Sequence, residues 1–331
     1  MKKYGPLLFP LLAVFLLILD SRCAAQSVSE GLELCLRTVI PALFPLFVLS
    51  SVLLPQLARV RFPAGFSRFL GIPGGCEGIF LLGCVGGFPL GARCIAQAVE
   101  NSALSRRDGT RMLGLCSNCG PAFLFGILPS VFEQPLAPLG IFCIQLETAL
   151  LTAALWPGKS DRRGSFSLPP VSLSDAVRGA VRSVGTVCAW ILLASVPAGF
   201  LRRWLFPFLP QTLQLLCTGV LELTAGCLEL SRCSDPGLRL VLGCGFVCFG
   251  GVSVLLQIRG VCPSLSLRPC VAQKLCQALS AMVLAAAVCR IGPAILLFPV
   301  PVLWFFKKQW HFRKTCGIIA FKREGSDHAV S

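Results

Sequence analysis

Four carboxylic acids, Glu77, Glu147, Glu222 and Glu229, stand inside stretches that are otherwise apolar. In a hydrocarbon setting a carboxylate persists when it is paired, protonated or held in a wet cavity, so each is a functional candidate by default. Glu222 is the strongest, because Thr224 and Gly226 follow within four residues and open a place where a substrate or a coupling proton can reach it. Glu147, beside Gln145, reads equally as a buried structural carboxyl bonded to a neighbouring helix, and Glu77 as an interfacial group.

The remaining polar chemistry lies where apolar runs are interrupted. Gly86-Gly87-Phe88-Pro89-Leu90-Gly91 breaks one run and Ser117-Asn118-Cys119-Gly120-Pro121 breaks the next. Glycine admits turns closed to other residues, and proline removes a donor and stops a helix. At membrane depth the freed main-chain groups must be packed in protein or line a cavity, and such a cavity is where transporters bind solutes. Gly86, Gly87, Pro89, Gly91, Ser117, Asn118, Gly120 and Pro121 are therefore expected to orient a polar solute or a hard cation, through main-chain groups and the Ser117 and Asn118 side chains. The alternative is that the glycines only permit close helix contacts. Glu222, Thr224 and Gln257, the last after Gly250-Gly251-Val252-Ser253, form the counterpart set later in the chain.

Other chemistries find little support. Cys116-Ser117-Asn118-Cys119 is the only C-x-x-C among 19 cysteines, and it lacks the second pair or nearby histidine of a zinc site. A thiol oxidoreductase using Cys116 and Cys119 stays open as an alternative; the other cysteines read as small hydrophobes. His311 and His328 lie near the chain end, away from any carboxylate motif. No phosphate-binding loop, nucleophile elbow or zinc-protease motif is present, so no enzyme activity, metal or cofactor is expected.

The elements that must position these residues follow from composition. Of 331 residues 55% are hydrophobic and 14% charged, and the mean hydropathy is +0.77. That leaves too little polar surface for a soluble globule of this size. The reading is an all-α polytopic membrane protein whose partner is the lipid bilayer. The net charge of +15 is spread in short clusters between apolar runs, as the positive-inside rule expects, so nucleic acid is not an expected partner.

Apolar runs of bilayer length predict spans near 5–19, 39–58, 113–132, 136–156, 184–201 and 240–258, followed by a tight hairpin of two short helices, 275–289 and 291–306. That makes about eight transmembrane helices. Two further stretches, 72–92 and 208–230, carry glycine breaks or an acidic residue and are read as re-entrant. This choice places the clusters around Arg106 and Arg162, with Arg259, Arg268, Lys274 and both basic termini, on the cytoplasmic side. Ser27 to Arg37 is amphipathic and is expected to lie on the outer surface as an interfacial helix.

The predicted organisation is an N-terminal transmembrane anchor over 1–26, which also resembles a signal sequence, a first repeat over 27–158, a cytoplasmic linker over 159–183, a second repeat over 184–258, a transmembrane hairpin over 259–306 and a basic cytoplasmic tail over 307–331. Both halves run in the same order, a span, a broken segment, then a span with glycine breaks. Entering the membrane from opposite sides, they would form an inverted repeat, as in many secondary transporters. Self-association into a homo-oligomer is left open.

Val39-Ile40-Pro41-Ala42-Leu43-Phe44-Pro45-Leu46-Phe47-Val48-Leu49-Ser50, then Gly86-Gly87-Phe88-Pro89-Leu90-Gly91-Ala92, then Ser117-Asn118-Cys119-Gly120-Pro121, resembles the YlbJ-type sporulation integral membrane proteins. These are grouped with the nucleoside-recognition or Gate domain proteins, alongside spore maturation proteins, parts of the ferrous-iron transporter B and nucleoside transporters. Leu221-Glu222-Leu223-Thr224-Ala225-Gly226 and Gly250-Gly251-Val252-Ser253-Val254-Leu255-Leu256-Gln257 agree, so the likeness runs from about Gly31 to Gln257. Cys119 departs from the second asparagine expected in that region. The resemblance implies a multi-pass plasma-membrane protein of a spore-forming bacterium that moves a small polar solute or ion during sporulation. A membrane scaffold or assembly factor for sporulation is the rival.

Overall fold

In the computed structural model residues 11, 14–156 and 167–294 are described, and among them the chain is helical without a strand. Most of the N-terminal span, residues 159–166 of the linker, the second arm of the C-terminal hairpin from 295 and the basic tail, with both chain ends, lie outside the described residues. Among the described residues five helices are long and apolar enough to cross a membrane. Large apolar side chains such as Leu193, Leu279 and Val283 stand exposed on the surfaces of those helices, which suits lipid rather than water.

Helix α1 (Ser21–Leu34) starts at Asp20, whose carboxylate accepts from the Cys23 amide. It passes through a π turn, Cys35–Val39, directly into α2 (Ile40–Ala58). The expected interfacial helix over Ser27–Arg37 is therefore not a separate surface element. Its face of Cys23, Ala24, Ser27 and Gly31 is buried, and a Cβ on Gly31 would stand 3.1 Å from Ser195 Oγ on α9 (Leu173–Trp204). Amphipathicity reveals a buried stripe but not whether lipid or another helix covers it.

After a short α3 (Ala64–Leu70), α4 (Glu77–Val85) and α5 (Leu90–Glu100) fold back on each other. A Cβ on Gly91 would come within 2.9 Å of the Gly83 Cα, a contact that eight residues of continuous helix, at about 1.5 Å per residue, exclude. Helix α10 (Gln211–Leu221) and α11 (Leu223–Glu229) do the same, with Gly226 pressed on the Gly219 Cα. Both stretches read as re-entrant are thus helical hairpins.

Between them lie α6 (Arg106–Leu115), α7 (Pro121–Gly126) and α8 (Ala137–Leu155). The stretch expected as a span over 113–132 opening with a Gly-Pro break is broken at 116–120, as expected, and ends in a 3-10 turn at Leu128–Ser130. Helix α12 (Pro236–Phe249) and α13 (Gly251–Val261) form a crossing interrupted at Gly250. Finally α14 runs from Arg268 to Ile291. The run 275–289 is therefore the main part of a full-length helix and not the arm of a short hairpin. Helix α14 packs on α12, α8 and α6, and α9 packs along α1 and α2.

Caps fix where these helices begin. The Ser105 and Ser172 hydroxyls accept from the amides of Asp108 and Asp175 and donate back to those carboxylates, satisfying groups that a helix start leaves open. Asp235 caps α12, with Pro236 in the first turn.

Candidate functional site

Gly87 has φ +69°, a left-handed conformation that L side chains rarely adopt. It turns the chain at the tip of the α4–α5 hairpin, between Gly86 and Phe88-Pro89. The tip meets the 116–120 break directly: a Cβ on Gly87 would stand 2.8 Å from the Gly120 nitrogen, and one on Gly120 would stand 2.9 Å from the Gly87 Cα. Two main chains touch there with no side chain between them.

That second break is held by side chains from other helices. Gln145 on α8 accepts from the Cys119 amide and donates to the Cys119 carbonyl, both at 2.9 Å. Lys274 on α14 donates to the Ser117 carbonyl at 2.7 Å. Asn118, fully buried, donates from Nδ2 to the Leu115 carbonyl at 2.8 Å and so closes the end of α6. The hydroxyl of Ser117 and Oδ1 of Asn118 have no hydrogen-bond partner among the described residues.

The later half repeats the arrangement with different residues. At the tip of the α10–α11 hairpin Glu222 is extended, with φ −144° and ψ 125°, and its Oε2 accepts from the Ala225 amide at 2.7 Å. It thereby caps α11. Gly250 and Gly251, with φ +84° and +81°, form the break between α12 and α13. A Cβ on Gly251 would lie 3.2 Å from the Leu223 nitrogen, so this break touches the second tip; a Cβ on Gly250 would lie 3.0 Å from the Phe88 ring, so it also touches the first.

The four interruptions therefore converge. Where they meet is a cavity of about 50 Å³, lined by Gly86, Gly87, Phe88 and Gly120 from the first half and by Glu222, Leu223, Thr224, Val254 and Gln257 from the second. Leu43, Phe47 and Val187 of α2 and α9 supply an apolar wall. A buried water needs at least roughly 10–15 Å³ of such space, so the cavity is large enough to hold water. The side chain of Gln257 makes no hydrogen bond among the described residues, which leaves its amide free to meet an occupant of the cavity.

Of the residues expected at a site, Gly86, Gly87, Gly120, Glu222, Thr224 and Gln257 line the cavity. Pro89, Gly91, Ser117, Asn118 and Pro121 do not. Ser117 and Asn118 lie in the packed crossing behind it, and Gly91 is pressed against the Cys116 carbonyl. Glu77 accepts from the Ser67 hydroxyl and the Gly75 amide at the base of the first hairpin. Glu229 faces Arg202, and Glu147 stays on α8 with Oε2 unpartnered. Cys116 is packed in the interior, whereas Cys119, also buried, adds to the cavity lining. Among the described residues no group of three or more His, Cys, Asp or Glu is placed to hold a metal ion.

Lys274 and Gln145 are the site residues that sequence reasoning missed. Lys274 was expected at the cytoplasmic surface and is instead completely buried. Its signal was the spacing of Gln273, Lys274 and Gln277, which puts three polar groups on one face of an otherwise apolar helix. Gln273 uses that face in the same way, accepting from the Gly114 amide and donating to the Arg111 carbonyl.

Compared with known proteins, the chain is 25% identical over 314 residues to the sporulation integral membrane protein YlbJ of Bacillus subtilis (strain 168), a match covering 78% of this chain and 76% of that one. The likeness supports the YlbJ-type family resemblance. No family model matches the chain, and no solved structure matches it.

Proposed function

We propose that this integral membrane protein is a carrier for a small polar solute or ion, acting in sporulation as the name of its Bacillus relative suggests. The observation that supports this reading best is the convergence of two hairpin tips and two broken crossings on one cavity with Glu222, Thr224 and the unbonded Gln257 amide in its wall. Interrupted helices at membrane depth serve carriers because main-chain groups can meet a solute there.

The order of elements adds to it. Helix α2, the α4–α5 hairpin, the broken α6–α7 and α8 are followed by α9, the α10–α11 hairpin, the broken α12–α13 and α14. Hairpins return to the side they leave, so each set makes three crossings, and an odd number turns the second set over relative to the first. That count supports an inverted repeat, and the basic clusters of the sequence support a cytoplasmic side for both termini. A nucleoside-sized solute exceeds the present cavity, so the tips must part to admit it.

Uptake into proteoliposomes tests the reading, with a panel of nucleosides, inorganic ions and small metabolites. The expected result is flux for one class and at least a fivefold loss in Gln257→Ala, with Cys116→Ser nearly unaffected, because one lost polar contact to a bound solute is worth about 1–3 kcal/mol. No flux for any compound would favour the membrane scaffold. That second reading draws on the Gln145 and Lys274 bonds, which satisfy the 116–120 break without a solute. Loss of function in both Cys116→Ser and Cys119→Ser would favour the thiol oxidoreductase.

A further inference from the structure

Lys274 is the largest fully buried side chain in the described structure, and its surroundings are unusual for an ammonium. Its Nζ donates to the Ser117 carbonyl at 2.7 Å and to Oε1 of Gln277 at 2.5 Å. The Phe88 ring lies under it, 5.4 Å from Nζ to the centroid. Among the described residues no carboxylate pairs with it. A buried cation is costly unless its surroundings replace water. Here the replacement is a freed main-chain carbonyl, an amide oxygen and an aromatic face, the neutral dipoles by which proteins hold a bare monovalent cation.

We propose that Lys274 is a built-in cation filling a monovalent-cation site made by the Ser117 carbonyl, the Gln277 carboxamide and the Phe88 ring. The three come from the 116–120 break, α14 and the first hairpin tip, so the tethered ammonium joins three separate elements. It stands behind Phe88, outside the cavity, and is a positioning residue for the tip. The inference does not depend on transport. It implies that the crossing needs no free cation in the native protein, and that truncating the lysine creates a site for one of ammonium or methylammonium size.

The test is the thermal unfolding midpoint of the purified full chain in detergent, at constant ionic strength, with methylammonium, sodium or potassium chloride exchanged against the chloride of the bulky cation N-methylglucamine. Wild type should hold the same midpoint in all four. Lys274→Ala should fall by roughly 5 °C or more in N-methylglucamine and regain at least half of the loss, saturably, in one of the small cations. Lys274→Met, which fills the space without charge, should fall and not recover. If Lys274→Ala cannot be purified folded, growth and extraction in methylammonium must yield folded protein. No recovery of Lys274→Ala by any small cation, a Lys274→Met midpoint equal to wild type, or an equal response of the wild type would each overturn the proposal.

Discussion

A methyl group is the smallest side-chain addition, and at Gly91 there is no room for it: the new carbon would run into the Cys116 carbonyl and the Gly83 Cα. Gly91→Ala should lower stability by about 2–4 kcal/mol. Gly65→Ala, at a position with nothing within 4 Å, should be neutral or slightly stabilising, since alanine favours helix. Thermal unfolding of both in detergent decides this, and equal midpoints would show that the hairpin is not as tight as described. Gln145→Leu removes both hydrogen bonds to Cys119 and strands a buried amide and carbonyl; a loss of about 2–5 kcal/mol is expected, and a midpoint within 1 °C of wild type would contradict it. Glycine breaks were legible at this scale because glycine and proline act through their own backbone preferences. The directions of Ser117 and Asn118 were not, because in irregular chain no periodicity says which way a side chain turns. Lys274 was misread because a lysine at the start of an apolar run looks the same whether it reaches for headgroups or for a carbonyl across the core.

Helix starts carry the next set of constraints. Ser105 and Ser172 cap α6 and α9 by the same reciprocal bonds to Asp108 and Asp175, although one site is partly buried and the other exposed. Ser105→Ala and Ser172→Ala should each cost about 1 kcal/mol, seen as faster amide hydrogen exchange confined to the first turn of the helix concerned. Exchange that rises equally throughout the helix would show that the cap does not define the start. The two hairpins were readable as interruptions, from the glycine and proline break at Gly86 to Gly91 and from Glu222 and Gly226, but the close contacts of Gly83 with Gly91 and of Gly219 with Gly226 were not. The union of α1 with α2 was not readable, since the polar positions Glu30, Glu33 and Arg37 fit an interfacial helix as well as a helix whose other face meets α9.

For the whole molecule, the question is whether water and solute reach the place where the two halves meet. Thr224 lines the cavity, whereas Val283 on α14 is 71% exposed on an apolar face. With reactive cysteines removed, Thr224→Cys should be modified by a small water-soluble thiosulfonate in membranes, and Val283→Cys should not, because thiolate forms in water and not in lipid. Thr224→Cys inert under every condition would mean a dry junction and would remove the support for a carrier. The class of fold was legible from composition, and the positions of the breaks from glycine and proline. Their convergence on one cavity was not, because it depends on contacts such as Gly250 with Phe88, 162 positions apart in the chain and unmarked in either segment.

The wide turn at Cys35–Val39 sets the phase between two stretches of one continuous rod. The Ile40 amide reaches back five positions to the Cys35 carbonyl instead of four, so one residue is carried there as surplus winding. Excising a single residue between Cys35 and Val39 would return the rod to ordinary pitch with its flanks in nearly the same phase, since five residues of wide turn and four of ordinary helix sweep about the same angle. A deletion between Gly31 and Leu34 has no such slack: it would turn everything upstream by about 100°, swing Ser27 and Gly31 off α9 and bring a charged flank in their stead. A one-residue loss should therefore be borne far better at the wide turn than in the ordinary helix beside it.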